Sequence, residues 1–212
     1  MLREVDRTRL EHELAARLTG ENFNVFNILR LSASEVRTHS AFIAELLDPQ
    51  GSHGQGSLYL KLFLKQLNID DVAFIAEGSK VLVEHSISKV DPQKATGGRI
   101  DILLEDKNCR HIVIENKIYA IDQDDQLLRY HKAFPGEPIY YLTLKKEDPS
   151  AQSLGLTCSD GDRASLLKRM TDLKVVCISY SDQLLHWLED CHKASVSLPV
   201  IRETIFQYEN LI

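Results

Sequence analysis

The sequence predicts an α/β domain in which helices flank a mixed sheet of four to five strands. Three observations support this: two paired strands over residues 99–118, a strand–helix–strand unit after them, and amphipathic helical segments before them. With 212 residues and 43% hydrophobic content, the chain can bury one full-sized core. We therefore expect a single domain over 1–212, with a helical part at 1–70, a sheet core at 80–192 and a helix at 199–212.

The N-terminal third reads as helices. Residues 3–18 carry a leucine stripe, and a short helix is predicted near 23–31. The run Ser32-Ala33-Ser34-Glu35 resembles a capping box that opens a helix ending near Leu47. A further amphipathic helix is predicted over 57–68.

The helix predicted over 33–47 has an acid and an imidazole on its apolar side. At 100° per residue, one face collects Glu35, His39, Phe42, Ile43 and Leu46. Glu35 is either the partner of the Ser32 cap or a site acid. His39 is either a core histidine or a group that orients an acid.

The most informative segment is 99–118, because both of its arms alternate with period two. Asp101, Glu115 and Lys117 fall on one face. The opposite face is predicted to hold Ile100, Ile102, Leu104, Ile112, Ile114 and Ile118. With a turn centred on Asn108, residues whose numbers sum to 216 face one another, so Asp101 lies across from Glu115 with Cβ atoms roughly 5 Å apart.

Two carboxylates this close repel each other unless a cation lies between them. Divalent cations such as Mg²⁺ bind carboxylate oxygens, and an adjacent ammonium can hold water or a phosphate oxygen. The pattern therefore indicates metal-assisted phosphodiester hydrolysis. The alternative is a solvated hairpin face, but the long apolar runs favour buried strands, and buried charge needs compensation.

Further strands and helices are predicted on both sides of this hairpin. A strand begins near Val81 and carries Glu84, which either joins the acid cluster or is a surface charge. After a loop with Pro92, Gly97 and Gly98 comes the hairpin. The predicted order then is a helix at 120–134, a strand at 139–144, a polar surface loop at 145–163, a strand at 174–180 and a helix at 181–192. The strand–helix–strand unit implies a right-handed parallel crossover.

The helix at 120–134 places Gln126 and Tyr130 four residues apart, on one face. An amide can hold a phosphate or a ligand side chain, and a tyrosine supplies a ring and a hydroxyl. The alternative is a core Tyr130 beside a solvated Gln126. Arg99 is the best candidate for a substrate-binding cation because it shares the face of Asp101. Other basic residues, including Arg129, are expected on solvated faces.

Asp101 followed by Glu115-Asn116-Lys117 resembles the signature of the PD-(D/E)xK, or restriction-endonuclease-like, nuclease superfamily, with Ile100 where the signature has proline. The resemblance covers roughly residues 25 to 190. Its further blocks are His39-Ser40, Leu46 to Pro49, His53-Gly54, Gly98 to Ile102, Asp122 to Tyr130, Ile178 to Tyr180 and Trp187-Leu188. Gln126 and Tyr130 resemble the QxxxY motif of the exonuclease-like branch, which contacts substrate near the metals.

The resemblance implies a restriction-endonuclease-like αβββαβ core with extra N-terminal helices. It also implies a Mg²⁺ or Mn²⁺ site formed by Asp101, Glu115, the Asn116 carbonyl and an acid from an N-terminal helix. Glu35 is the candidate for that acid, and Glu45 is the runner-up because it points off the apolar stripe. Implied products carry 5′-phosphate and 3′-hydroxyl ends, and implied roles are restriction, phage defence or repair.

Composition narrows the class of protein. A net charge of −6 argues against coating DNA by bulk electrostatics, although a local basic groove is compatible with it. No apolar run is long enough to span a membrane, and the charged N-terminus does not resemble a signal peptide. Four scattered cysteines without a CxxC pair indicate reduced thiols and a cytoplasmic protein. The histidines lack zinc-ligand spacing. The segment 199–212 ends without a capping residue, which leaves open a longer native protein.

The predicted function is therefore a Mg²⁺-dependent deoxyribonuclease. Catalytic roles fall to Asp101, Glu115, Lys117 and Glu35. Two alternatives remain: a non-catalytic nuclease-fold module that binds nucleic acid or a protein, and a hydrolase of RNA or nucleotides. Cleavage of both DNA strands would favour a homodimer, but the sequence does not identify an interface.

Overall fold

The structure is a computed structural model that describes residue 20 and residues 23–31, 34–157 and 162–212, apart from the side chains of Glu35 and Arg37. The helix predicted over 3–18 lies outside the described residues. Ser32, the first residue of the predicted capping box, lies outside them as well.

Helices surround a five-stranded sheet, which confirms the predicted α/β class. The strands are β1 (Lys80–Asp91), β2 (Thr96–Glu105), β3 (His111–Lys117), β4 (Ile139–Thr143) and β5 (Val175–Ser179). The α-helices are α1 (Val25–Ile28), α2 (Ala41–Leu47), α3 (Leu58–Gln66), α4 (Gln126–Ala133), α5 (Arg163–Asp172), α6 (Leu185–Ala194) and α7 (Pro199–Glu209). Two π-helical segments, Glu35–Ser40 and Tyr180–Leu184, lead into α2 and α6.

The sheet order is β1-β2-β3-β4-β5, antiparallel between the first three strands and parallel between the last three. The sheet is therefore mixed, as predicted. The hairpin of β2 and β3 pairs Glu105 with His111 and Ile102 with Ile114, which confirms the register of numbers that sum to 216. The pairing stops at Ile102–Ile114, one residue before Asp101 and Glu115. The two strands separate at the level of the predicted acids.

The two faces of the sheet bury separate hydrophobic clusters. Ile102 and Ile114 belong to the larger one, with α2, α3, α6 and α7, whereas Leu103 and Val113 belong to the second, with α4 and α5. Each fully buried side chain of this size contributes about 1.5–3 kcal/mol. Ile100 was expected beside Ile102 but packs in the second cluster. Ile100 lies beyond Ile102, the last residue of β2 that is paired with β3. Pairing with β3 therefore does not fix the orientation of Ile100.

The helix predicted over 33–47 begins at Glu35, and its first six residues are π-helical. A π-helical turn is wider than an α-helical one, so a projection at 100° per residue fails across it. Thr38, His39 and Ser40 are consequently all buried, although they are consecutive. The single apolar face predicted for this helix was wrong over its first half.

The loop after β4 was predicted to lie on the surface, but part of it is core. Ser153 and Leu154 are fully buried. The Ser153 carbonyl accepts hydrogen bonds from the backbone N–H groups of Leu127 and Leu128. Helix α4 needs these contacts because Asp125 provides no side-chain cap, and the first N–H groups of a helix lack partners within it. The helix starts at Gln126 rather than near residue 120.

Among the described residues, none of the helices has the length and apolar character required to cross a bilayer.

Candidate active site

The predicted E-N-K motif occupies the end of β3. Glu115, Asn116 and Lys117 are all buried there, and β3 is paired on both sides, with β2 and with β4. Only 1% of Glu115 is exposed to solvent. A carboxylate so deeply buried needs a full set of partners.

Glu115 finds those partners on its own strand and on α4. One oxygen accepts from Gln126 Nε2 at 2.6 Å and from Lys117 Nζ at 2.8 Å. The other oxygen lies 2.9 Å from Tyr130 Oη. The two α4 residues also contact each other, at 3.0 Å between Gln126 Nε2 and Tyr130 Oη. The Q-x-x-x-Y spacing thus aims both side chains at one carboxylate, since residues four apart share a helix face.

Burial has the largest effect on the pKa of Glu115. Desolvation, and then the charge of Asp101, raises the pKa of Glu115 to about 8, against a smaller opposing effect of Lys117. Burial by itself would lower the pKa of Lys117, but the charge of Glu115 and its hydrogen bond leave that pKa above its ordinary value. The pKa of Tyr130 is raised by burial and then by Glu115, so its hydroxyl stays protonated and can donate.

Asp101 lies where β2 leaves β3. Its Oδ2 accepts the backbone N–H of Asn116 at 2.8 Å. The N–H and C=O groups of one strand residue point to the same side, so the Asn116 carbonyl is directed toward β2 as well. The Asn116 side chain is fixed separately, because it donates to Ser40 Oγ at 3.0 Å and accepts from Tyr180 Oη at 2.9 Å.

Glu84 on β1 belongs to the same region, which decides between the two alternatives left open by the sequence. The pairs Val83–Ile102 and His85–Ile100 put Glu84 at the level of Asp101. Its Oε2 forms an ion pair with Arg99, at 2.6 Å from Nε. Its Oε1 is buried and has no hydrogen-bond partner among the described residues.

These side chains line one cleft, with a cavity volume of about 490 Å³. Its walls include most of the predicted site residues and Glu84, namely Glu84, Arg99, Asp101, Glu115, Asn116, Lys117 and Gln126. Tyr130 lies behind Glu115, in the second hydrophobic cluster. Acids, an amine and a guanidinium therefore meet in one open cleft at the end of the central strands.

Comparison with known families gives a match over most of the chain. The family model described as the PD-(D/E)XK nuclease superfamily matches residues 23–210. The chain belongs to the PD-(D/E)XK nuclease superfamily. A search of curated proteins and a search of solved structures gave no significant match. The five-stranded mixed sheet with flanking helices agrees with the restriction-endonuclease-like fold of this superfamily.

Nucleases of the PD-(D/E)XK superfamily typically use divalent metals, and the oxygen donors of this cleft fit such an ion. Asp101, Glu115 and the Asn116 carbonyl offer hard ligands, and Mg²⁺ completes its shell with several waters. The desolvation that raises the pKa of Glu115 is the kind of cost that a nearby cation offsets. Within the described part of the chain, no three acidic, histidine or cysteine side chains already form a metal cage.

The three residues predicted for this site from the N-terminal helix, Glu35, His39 and Glu45, lie in different surroundings. Glu45 is exposed outside the cleft, and its carboxylate accepts from the backbone N–H and the Oγ of Ser52, at 2.5 and 2.7 Å. Glu35 starts the π-helical segment, and the next residue, Val36, lines the cleft. Its side chain is not described, so its metal role stays a prediction. His39 is buried, with Nδ1 at 2.9 Å from Tyr208 Oη.

Sequence reasoning missed several supporting groups. Asp122 accepts from Tyr141 Oη at 2.9 Å and from the Ser150 N–H at 2.7 Å, and its charge helps to raise the pKa of Lys117. Its position, four residues before Gln126, was the available signal. Arg129 was expected on a solvated face but is buried, and its Nε has no hydrogen-bond partner among the described residues.

Proposed function

We propose that this protein hydrolyses DNA phosphodiester bonds with Mg²⁺ or Mn²⁺. The observation that carries the proposal is the pair of acids, Asp101 and Glu115, facing one cleft with the Lys117 ammonium 2.8 Å from Glu115. Membership of a nuclease superfamily supports it. A role in restriction, phage defence or repair is part of the same proposal.

Asp101, Glu115 and the Asn116 carbonyl would hold the cation, and Glu35 is proposed to complete its ligands. When bound there, the metal supplies Lewis acidity, which makes water a stronger nucleophile and neutralises charge on the phosphate. The hydrogen bonds from Gln126 and Tyr130 keep the Glu115 carboxylate in one orientation. The Asn116 N–H does the same for Asp101.

Lys117 is proposed to orient the attacking water and to stabilise negative charge on the phosphate. Its ammonium lines the cleft and can donate to the attacking water or to a phosphate oxygen. Arg99, whose side chain is largely exposed at the rim, is proposed to contact the DNA backbone. Gln126, which lines the cleft, is proposed to contact substrate as well as Glu115. Tyr130 was predicted to contact substrate too, but it is buried behind Glu115, so its proposed role is to hold that carboxylate. The predicted products carry 5′-phosphate and 3′-hydroxyl ends.

The test is cleavage of plasmid and linear DNA by the purified protein with Mg²⁺, Mn²⁺ or EDTA. We expect metal-dependent cleavage that Asp101→Asn and Lys117→Ala each abolish. Glu77→Gln changes an exposed ion pair with Lys61 outside the cleft and is the control. End-labelling of the products checks which end carries the phosphate. Cleavage that both substitutions leave intact would overturn the proposal.

The net charge of −6 favours one other candidate, a nuclease-fold module that binds a protein partner without cleaving DNA. Titration calorimetry separates the two functions. A pure binding module has no reason to bind Mn²⁺ at Asp101, so a Mn²⁺ affinity that Asp101→Asn removes favours the nuclease. A parallel panel of RNA substrates tests hydrolysis of RNA.

A further inference from the structure

Three carboxylates lie in a row across three neighbouring strands. Glu84 on β1 is at the level of Asp101 on β2, because the pairs on either side of it are Val83–Ile102 and His85–Ile100. Asp101 is one step beyond the last β2–β3 pair, which puts it at the level of Glu115. All three line the same cleft. Side chains at one level of neighbouring strands share a face of the sheet.

The backbone at Glu84 is unusual for a strand. Its φ of +55° lies in the left-handed region, which residues other than glycine seldom adopt. Such conformations are energetically unfavourable and occur preferentially at functional sites. The strained residue is thus an acid that faces the proposed metal.

The two oxygens of Glu84 are in unequal positions. Oε2 is paired with Arg99, whereas Oε1 is buried and receives no hydrogen bond from the part of the chain that the structure describes. An unsatisfied buried oxygen on a charged group is costly, because it has lost water and gained no donor in return. A cation in the cleft would give this oxygen the partner it lacks.

Arg99 is a counter-ion that can leave. Its side chain is 64% exposed, while that of Glu84 is 23% exposed. Ion pairs screened by solvent contribute little to stability, so the exchange of this one for a divalent cation has a low cost. The guanidinium of Arg99 also suits phosphate, which it can bind through two parallel hydrogen bonds.

We propose that Glu84 is a third carboxylate of the metal site and that Arg99 is its exchangeable counter-ion. When the cation binds, Glu84 turns from Arg99 toward Asp101, and Arg99 becomes available to a phosphate of the nucleic acid. This inference rests on the proposed metal-dependent nuclease function. It adds an acid from strand β1 to the metal site, beside Glu35, the acid proposed from the N-terminal helix.

The first test is calorimetric titration of the full chain with Mn²⁺, without nucleic acid. We expect Glu84→Gln to weaken Mn²⁺ binding roughly tenfold or more, as for groups that hold or orient a metal. Glu77→Gln, the same change in an exposed ion pair, should leave the affinity unchanged. Circular dichroism and thermal melts verify that each variant is folded.

The second test removes the counter-ion. We expect Arg99→Gln to strengthen Mn²⁺ binding severalfold, because Glu84 no longer has to leave a partner. It should also weaken binding of a short DNA duplex in Ca²⁺. If Glu84 serves only to hold Arg99, neither Glu84→Gln nor Arg99→Gln will change Mn²⁺ affinity, and the inference is overturned.

Asp101→Asn in the same titration separates this inference from the proposed function. Loss of Mn²⁺ binding in Asp101→Asn but not in Glu84→Gln refutes the role of Glu84 and leaves the nuclease proposal standing. Unchanged Mn²⁺ binding in all three variants refutes both.

Discussion

Two acids at opposite ends of the cleft are held in contrasting ways. Glu115, in what we name the β3 corner (Glu115, Lys117, Gln126 and Tyr130), is fully buried, and both of its oxygens accept hydrogen bonds. Glu84, in the β1 corner (Glu84 and Arg99), has one ion pair, a left-handed backbone and one oxygen without a hydrogen bond from any described residue. One corner is preorganised and the other is adjustable.

The position of each strand in the sheet explains the contrast. Strand β3 is paired on both sides and packs under α4, so its side chains have little freedom. Strand β1 is one of the two edge strands, and its register with β2 shifts beyond Ser86. Edges and irregular pairings are the places where a strand can re-aim a side chain. The comparison suggests a site with one fixed wall and one movable wall.

The largest expected effect is on the β3 corner. We expect Lys117→Met to lower the rate of DNA cleavage by about 10²–10³-fold, because it removes a donor aimed at the charge that develops on the phosphate. Single-turnover kinetics with saturating Mg²⁺ measures this. Lys193→Met, an exposed lysine on α6, is the matched control. Equal rates for both variants would contradict the assignment of Lys117.

A second prediction concerns pH and the burial of Glu115. Its pKa is about 8 in the folded protein and ordinary in the unfolded chain, so the folded state binds protons more tightly. The stabilisation is complete below the ordinary pKa and is lost as pH rises through 8. Glu209, with a pKa raised by burial to about 7, acts in the same direction. We expect the free energy of unfolding in EDTA to fall by several kcal/mol from about pH 5 to about pH 9, since each unit of pKa difference corresponds to about 1.4 kcal/mol.

Urea unfolding at several pH values checks that fall. Glu115→Gln and Glu209→Gln should each flatten it, and Mg²⁺ should restore stability at high pH by binding the folded state. Glu77, whose pKa is lowered by Lys61, does not titrate in this range, so Glu77→Gln should keep the slope of the wild type. A slope unaffected by Glu115→Gln would show that this carboxyl is not the buried group we infer.

A third prediction tests how α4 preorganises the fixed wall. Tyr130→Phe removes the hydroxyl that lies 2.9 Å from Glu115 Oε2 and 2.5 Å from the Arg99 carbonyl oxygen, and we expect Mn²⁺ affinity to fall roughly tenfold. Tyr140→Phe makes the same change at a buried tyrosine of the first cluster and should not alter the affinity. Calorimetry of the two variants decides. Equal losses would mean that general core loosening, not orientation of Glu115, is responsible.

The smallest expected effect lies outside both corners. Glu45 was the second choice for the helix acid, but its carboxylate is committed to Ser52. We expect Glu45→Gln to leave Mn²⁺ affinity unchanged and to cost about 1 kcal/mol of stability through weaker hydrogen bonds. Glu35→Gln in the same titration tests the first choice. Loss of metal binding in Glu45→Gln would mean that the loop around Ser52 rearranges.

The sequence predicted most of the fold because strands and helices have hydrophobic patterns that are visible within a short segment. The alternation over 99–118 was enough to give the register of β2 and β3. The unit after it gave a parallel β3–β4 pair. The helical wheel over 33–47 failed because a π-helical segment changes the angle per residue without a clear sequence signal. The prediction for the loop after β4 was wrong because this loop caps the N-terminus of α4, and that contact exists only in the folded chain.

Residue types and spacing by themselves predicted the candidate site and its proposed chemistry: alternating strands with an acid, an acid and an amine, followed by glutamine and tyrosine four apart. Those signals are local, since each depends on neighbours within one strand, one hairpin or one helix turn. The tertiary structure decided which acids share the cleft, because β1 brings Glu84 to Asp101 across the sheet while Ser52 holds Glu45 outside it. It also decided the burial that raises the pKa of Glu115, because desolvation depends on atoms gathered from distant parts of the chain.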